Sequence, residues 1–392
     1  MNTVRTVLDI WNWYIKGVVF ATEDGVVNVL AKDMVKTRGM RKWKILDIED
    51  FALCVNELLK SFERKIWSDL VEEVIVGVSH PQSHVIRVAE QKRIINKTIL
   101  SEDVSHLSDI VADAWYKPNY EVIKIMPVLW LIDEETKTKD PLWMDARKLE
   151  LIADVFLLPK VYYNNLMEVF KKLDLDVRDM VPTILWTCEW VLDFDLKDLG
   201  SLVIDIGANQ TSYAVYEEWY PLFYGVIPLG GEDVTKDLSI GLQIDVKEAE
   251  ALKREKASIA FDKVSQSDET IDMKFMTDIV IARYEEIFDL IQEDLIHRDK
   301  DWRLPWWVFL TWWASKIPDL ELLSKDVFKV ASFSAQERHL QIGELHENHQ
   351  FLSLLGLYSR SDKYSYNKRK WLGLSLDFWF IQPIKDFFKK LF

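Results

Sequence analysis

Apolar positions along the chain change period several times, and each change marks an element. Residues 6 to 31 read as a hairpin-rich set of strands with a turn at Asp24-Gly25. Residues 48 to 66 carry apolar positions at helical spacing, and the apolar run Val74 to Val78 predicts a buried strand. Strands near 84 to 94 and 120 to 132 follow, around a helix at 101 to 115 whose start, Leu100-Ser101-Glu102-Asp103, reads as a capping sequence. A helix at 160 to 173 leads to a strand ending at Ile206, and residues 212 to 228 predict two more strands. Helices dominate 232 to 299, broken by a polar stretch at 257 to 270, and the strand Val308 to Thr311 precedes a helix beginning near Ala314. Strands and helices alternating in two halves predict an α/β architecture of two related lobes with a cleft between them.

One design occurs in both halves. Val7-Leu8-Asp9-Ile10-Trp11-Asn12-Trp13 and Leu202-Val203-Ile204-Asp205-Ile206-Gly207-Ala208-Asn209 each read as an apolar strand carrying Asp-Ile into a tight turn. The carboxylate suits a cation and the turn N–H groups suit a phosphate, so two facing copies can clamp a nucleotide. The first copy has Trp11 where the second has Gly207.

That mismatch makes composition informative. The chain has 13 glycines and 17 tryptophans in 392 residues, and such a glycine share is about half the usual level of about 7%. Several tryptophans stand where turn chemistry wants φ > 0 or close backbone approach, as at Trp219 between two strands and at Trp312-Trp313 in a strand-to-helix turn. The expectation is that a good share of these positions are glycine in the source organism, through a reassigned stop codon. The alternative is a tryptophan-rich protein with unusually aromatic loops.

Length predicts two to four domains. A net charge of −15 argues against general nucleic-acid binding, which needs a basic surface. Cys54 and Cys188 offer neither a disulfide framework nor a zinc site, so a reducing, cytoplasmic compartment is expected. The first residues run straight into a strand without a signal peptide, and no apolar run reaches spanning length. His80 and His84, with Pro81 between them, and His346 and His349 read as surface or loop residues, because a metal site needs three or four converging ligands.

At the C-terminus, Ile384, Phe387, Phe388, Leu391 and Phe392 fall on one helical face with Lys385, Lys389 and Lys390 on the other, beyond the basic polar stretch Ser359 to Lys370. Aromatics opposite lysines predict a helix lying in the membrane interface, its lysines drawn to anionic headgroups. A terminal helix docked on the protein body is the alternative.

These residues together resemble the FtsA family of actin-like bacterial cell-division proteins over nearly the whole chain. The first phosphate loop of that family appears as Leu8-Asp9-Ile10-Trp11-Asn12 followed by Ile15-Lys16, and the second as Val203 to Ser212. The adenosine motif appears as Val308-Phe309-Leu310-Thr311-Trp312-Trp313-Ala314. More specific to FtsA are Ile227 to Leu242, containing Gly230-Gly231-Glu232-Asp233, the stretch Asp140-Pro141-Leu142-Trp143-Met144, and the terminal helix. Trp11, Trp43, Trp143, Trp306, Trp312 and Trp313 each stand where the family has glycine.

The resemblance implies a two-lobed actin-like ATPase fold that binds ATP and Mg²⁺. Asp9 and Asp205 would face the metal through waters, since Mg²⁺ dehydrates reluctantly. Backbone N–H groups of Trp11, Asn12 and Trp13, and of Gly207, Ala208 and Asn209 with Gln210 and Thr211, would cradle phosphates, with Lys16 as a counter-charge. Thr311 to Ala314 would pass the adenosine, and Lys253, Arg283 and Glu286 are candidates for ribose and base. As written, the indoles of Trp11, Trp312 and Trp313 would fill the cleft. Glu189 lies near the helix that often supplies a water-positioning group, but Trp186 and Trp190 beside it suggest a packed helix, so slow hydrolysis or none is expected.

The implied domains are a first core subdomain at 1–79, 161–200 and 350–366, an inserted FtsA-type subdomain at 80–160, a second core subdomain at 201–231 and 300–349, and an upper subdomain at 232–299. A linker at 367–380 and a membrane helix at 381–392 complete the chain. Implied partners are the C-terminal tail of the tubulin-like division protein, further copies of the chain, later division proteins and the membrane surface at the division site. A pilus-assembly relative that clamps ATP, or a kinase of the same superfold, is the alternative.

Overall fold

The computed structural model describes residues 3–23, 26–66, 73–114, 117–259, 272–298, 307–311 and 313–335. The described residues divide into two compact units, one within residues 1–183 and the other beginning at residue 184. The Asp24-Gly25 turn, Trp306, Trp312 and the whole C-terminal amphipathic segment lie outside the described residues.

In the first unit the elements are β1 (Thr3–Ile10), β2 (Tyr14–Glu23), β3 (Val26–Lys36), β4 (Met40–Arg41), β5 (Lys44–Ile45), α1 (Ile48–Ile66), β6 (Glu73–Val78), β7 (His84–Arg93), α2 (Ser101–Ala114), β8 (Tyr120–Ile132), β9 (Thr136–Thr138), β10 (Lys148–Pro159), α3 (Lys160–Lys172) and β11 (Asp176–Pro182). Its main sheet has the order β11-β6-β1-β2-β3, with β1 antiparallel to β2 and parallel to β6. Asp47 caps α1 by accepting the Asp50 N–H at 3.0 Å, while Glu49 and Asp50 in the first turn and Arg64 and Lys65 in the last complement the helix dipole. The face Phe51, Val55, Leu58 and Phe62 is fully buried in the same core as Leu8, Ile15 and Val76. Each such side chain contributes about 1.5–3 kcal/mol.

The four-stranded sheet β7-β10-β8-β9 carries α2 on one face through Val104, Leu107 and Val111. Its central strand β10 escapes the periodicity reading because Ala153 to Leu158 are buried without a break, Asp154 included, whereas burial alternates only from Lys148 to Ala153. The start of α2 also differs from expectation. The Leu100 N–H donates to Asp103 Oδ2 at 3.0 Å, so Asp103 supplies the returning half of a capping box, while Leu100 has no side-chain oxygen for the other half and its carbonyl accepts the Asp103 N–H at 3.0 Å.

In the second unit, α4 (Thr183–Val191, its first residue in the first unit) and α5 (Phe194–Leu199) precede β12 (Ser201–Ile206), β13 (Thr211–Glu217), β14 (Tyr220–Ile227), α6 (Gly231–Leu242), α7 (Val246–Lys256), α8 (Met273–Arg298), β15 (Trp307–Thr311), α9 (Leu320–Phe328) and β16 (Ala331–Ser334). The sheet order is β14-β13-β12-β15-β16, with β12 antiparallel to β13 and parallel to β15. Strand for strand this is the order and direction of the first sheet. The helix expected near Ala314 is a single 3-10 turn, Trp313–Lys316, because Pro318 stops it; α9 starts at Leu320.

Candidate functional site

The two Asp-Ile turns have matching geometry, each within its own unit. In the first, Asp9 stands opposite Lys16 in the β1–β2 ladder, and the Trp11 N–H donates to the Tyr14 carbonyl at 3.2 Å. In the second, Asp205 stands opposite Ser212 in the β12–β13 ladder, and the Gly207 N–H donates to the Gln210 carbonyl at 2.9 Å. Trp11 therefore occupies the turn position of Gly207, and Lys16 that of Ser212.

Asp9 is fully buried, and its Oδ1 accepts from the Thr183 hydroxyl at 2.9 Å. Its charge and, above all, burial raise the Tyr162 phenol well beyond its ordinary range. Lys16 is also buried, with its ammonium 5.2 Å from the centre of the Trp11 ring. The turn is tied down by Thr37, whose hydroxyl donates to the Trp11 carbonyl at 2.8 Å, and by Asn12, whose Oδ1 accepts the Trp43 N–H at 2.9 Å. Trp13 is exposed at the turn, with Lys36 5.6 Å over its ring.

His80 belongs to this neighbourhood: it lies in the loop between β6 and β7, as read, but inside the protein and not at its surface. It is buried, its ring lies 5.0 Å from that of Tyr162, and it bonds to the Trp43 backbone and accepts the Gln82 N–H at 3.0 Å. Burial lowers the imidazole to about 4, so it is neutral at ordinary pH. No periodic signal could have found it, because the residue joins elements distant in sequence. His84 bonds to the Tyr120 hydroxyl at 3.0 Å.

In the second unit Asp205 is buried at the end of β12, next to Thr311 in the β15 register, with the Thr187 hydroxyl 3.4 Å from its Oδ2. The Gly231 and Glu232 N–H groups at the start of α6 donate to the carbonyls of Gly207 and Ala208 at 2.9 and 2.7 Å. This contact needs glycine: a Cβ on Gly230 would lie 2.5 Å from the Gly207 oxygen, and one on Gly231 would lie 2.9 Å from the Ala314 Cβ. Gly230-Gly231 thus brings the 207–210 turn, α6 and Ala314 together, as the sequence motifs suggested.

Lys253 joins the same cluster. Its ammonium donates to the Gly231 carbonyl at 2.7 Å and to Thr235 Oγ1 at 2.8 Å, and pairs with Glu250 at 2.6 Å. Burial lowers its pKa and Glu250 opposes that shift. Tyr284, not foreseen from the sequence, donates its hydroxyl to the Ala314 carbonyl at 2.6 Å. Arg283 makes a two-pronged pair with Asp237 at 2.6 and 3.0 Å and also binds Glu286. These two candidates for ribose and base are committed to one another and to α6. Glu189, weighed as a water-positioning group, is paired with Lys197 at 2.9 Å.

The family model described as "Cell division protein FtsA" matches residues 202–356, and the one described as "SHS2 domain inserted in FTSA" matches residues 79–156, which contain the β7-β10-β8 sheet and α2. The chain belongs to the FtsA family. It is 26% identical over 345 residues to the cell division protein FtsA of Bacillus subtilis (strain 168), covering 84% of this chain and 77% of the relative. Among solved structures it resembles the PilM-PilN type IV pilus biogenesis complex at 17% identity and a TM-score of 0.64, over 91% of this chain and 98% of that one. It also resembles MreB 5 of Spiroplasma citri bound to AMPPNP, at 12% identity and a TM-score of 0.50, over 92% of this chain and 96% of that one. The last two establish the actin-like fold, and the FtsA models distinguish this chain from a pilus protein of the same fold. It is a cell-division protein with the FtsA-type insert.

Proposed function

We propose that this FtsA-family protein is a membrane-tethered, nucleotide-clamping scaffold that links the tubulin-like division polymer to the cytoplasmic face of the membrane and assembles with copies of itself. The observation that carries the nucleotide reading is the equivalence of the two hairpins, which put buried Asp9 and Asp205 at the same strand position before the same hydrogen-bonded turn. The two carboxylates would hold Mg²⁺ through water, and the turn N–H groups would take the phosphates of ATP.

The second unit's residues fit that ligand. Gly207, Ala208 and Asn209 form a small-residue turn closed by the Gly207 N–H on the Gln210 carbonyl, and Gly230, Gly231 and Ala314 add no bulky side chain beside it. Trp11 does not fit. Its indole stands against Lys16, the cation that would meet phosphate, whereas glycine there would expose that ammonium. Titration with a fluorescent ATP analogue and Mg²⁺ checks this. The protein with Trp11, Trp312 and Trp313 is expected not to bind, and Trp11→Gly, Trp312→Gly and Trp313→Gly combined are expected to gain binding that Asp205→Asn then weakens roughly tenfold or more, or about 1.4 kcal/mol. Binding that ignores Asp205→Asn would sink the metal-and-phosphate reading.

Membrane attachment is assigned to Ile384, Phe387, Phe388, Leu391 and Phe392 with Lys385, Lys389 and Lys390. Flotation with anionic liposomes, with and without residues 380–392, tests it: binding is expected for the full chain and lost on truncation, and retention by the truncated chain would overturn the tether.

A further inference from the structure

Tryptophan takes a left-handed backbone at three described positions, Trp43 (φ 60°), Trp143 (φ 66°) and Trp219 (φ 69°). The other non-glycine residues that do so are all Lys, Asn, Asp, Glu or Gln. The chain has 19 Phe and 13 Tyr, yet none of those described adopts this conformation. Bulky aromatic character therefore does not account for the tryptophans. A side chain with a Cβ is disfavoured in this region by roughly 1–2 kcal/mol, and bulky residues there are genuine outliers.

Each of the three is also the glycine position of a defined turn. Lys42-Trp43 is the two-residue loop between paired Arg41 and Lys44, and Glu218-Trp219 the loop between paired Glu217 and Tyr220. Both residues of each loop have φ > 0, the type I′ arrangement that selects Asn-Gly or Asp-Gly, with glycine second. In the third, the Met144 N–H donates to the Pro141 carbonyl at 3.3 Å, and Leu142-Trp143 are the central pair. Only Trp143 of that pair has φ > 0, a type II turn with glycine expected at its place. Trp143 is also 74% exposed, so no packing compensates the conformation.

Trp130 is the contrast. It lies within β8 opposite Leu151 and Thr138, is 4% exposed and belongs to the apolar core of the insert. Its extended backbone suits an aromatic side chain.

We infer that the chain has two kinds of position written as tryptophan: at 43, 143 and 219 the natural protein carries glycine, through a stop codon reassigned to glycine, whereas Trp130 is tryptophan. The left-handed backbone carries this inference and does not depend on nucleotide binding. Trp11 has no left-handed φ, so its case rests on the misfit with phosphate alone.

Tandem mass spectrometry of the protein from its native host tests it through two tryptic peptides, Asp140 to Arg147 with position 143 and Ile125 to Lys137 with position 130. Glycine at 143 with tryptophan at 130 is the expected result, and the gene should then carry different triplets at the two positions. Tryptophan at 143, glycine at 130, or one triplet at both would overturn it. Independently, Trp43→Gly, Trp143→Gly and Trp219→Gly combined in the protein made with tryptophan are expected to raise the thermal unfolding midpoint; a fall counts against the assignment. Glycine at 143 in a protein that fails to bind ATP would refute the nucleotide proposal and leave this one standing.

Discussion

His80 illustrates how a single buried residue sets a pH dependence. Its imidazole titrates near 4 in the folded chain against 6.5 ordinarily, so below about pH 6.5 the unfolded chain binds a proton that the folded one refuses. Stability from this group is complete above pH 6.5 and is lost as pH falls toward 4, by an amount on the order of 3 kcal/mol. Denaturant unfolding at pH 7.5 and 4.5 should show a smaller loss for His80→Gln than for the parent. Gly230 is the other decisive residue. With a Cβ 2.5 Å from the Gly207 oxygen, Gly230→Ala must push the 207–210 turn off the start of α6, at an expected cost of about 1–3 kcal/mol in unfolding free energy. An unchanged midpoint would show that the turn yields without strain.

Among the elements, β8 and β11 are joined by a buried ion pair between Lys124 and Asp179, which connects the insert sheet to the core sheet of the same unit. Burial raises the Asp179 carboxyl despite its lysine partner. Such a pair is costly to break and cheap to replace whole. Lys124→Met alone is expected to cost about 3–5 kcal/mol, and Lys124→Met with Asp179→Leu to regain most of it. Equal losses in the single and double variants would mean that the pair adds nothing beyond its packing. Arg87 and Asp154, paired at 2.8 Å across β7 and β10, do the same work inside the insert.

At the scale of the whole molecule, two units each carry their own buried core, around Leu8, Phe51 and Phe62 in one and Tyr213, Tyr284 and Phe328 in the other. Independent cores predict unfolding that departs from a single two-state transition. Calorimetry should give a measured enthalpy larger than the van't Hoff value, and equality of the two would mean that the units unfold together. Among the described residues no helix is long and apolar enough to cross a membrane.

The sequence determined α1 at 48–66 and β8 at 120–132 to the residue, because an amphipathic helix and a bounded apolar strand announce themselves locally. It also determined the duplicated Asp-Ile turn, since an apolar strand that ends in Asp-Ile is recognisable without its neighbours. Tertiary structure alone decided β10, whose stretch from Ala153 to Leu158 is buried on both faces and so shows no period. It likewise decided the burial of His80, the pairing of Arg283 with Asp237, and the place of Tyr284 at Ala314, all of which join residues far apart in the chain. Composition raised the question of glycine at the tryptophan positions. The sign of φ separates Trp43, Trp143 and Trp219 from Trp130, because a backbone's handedness is fixed by the turn it must close and appears in no list of residues.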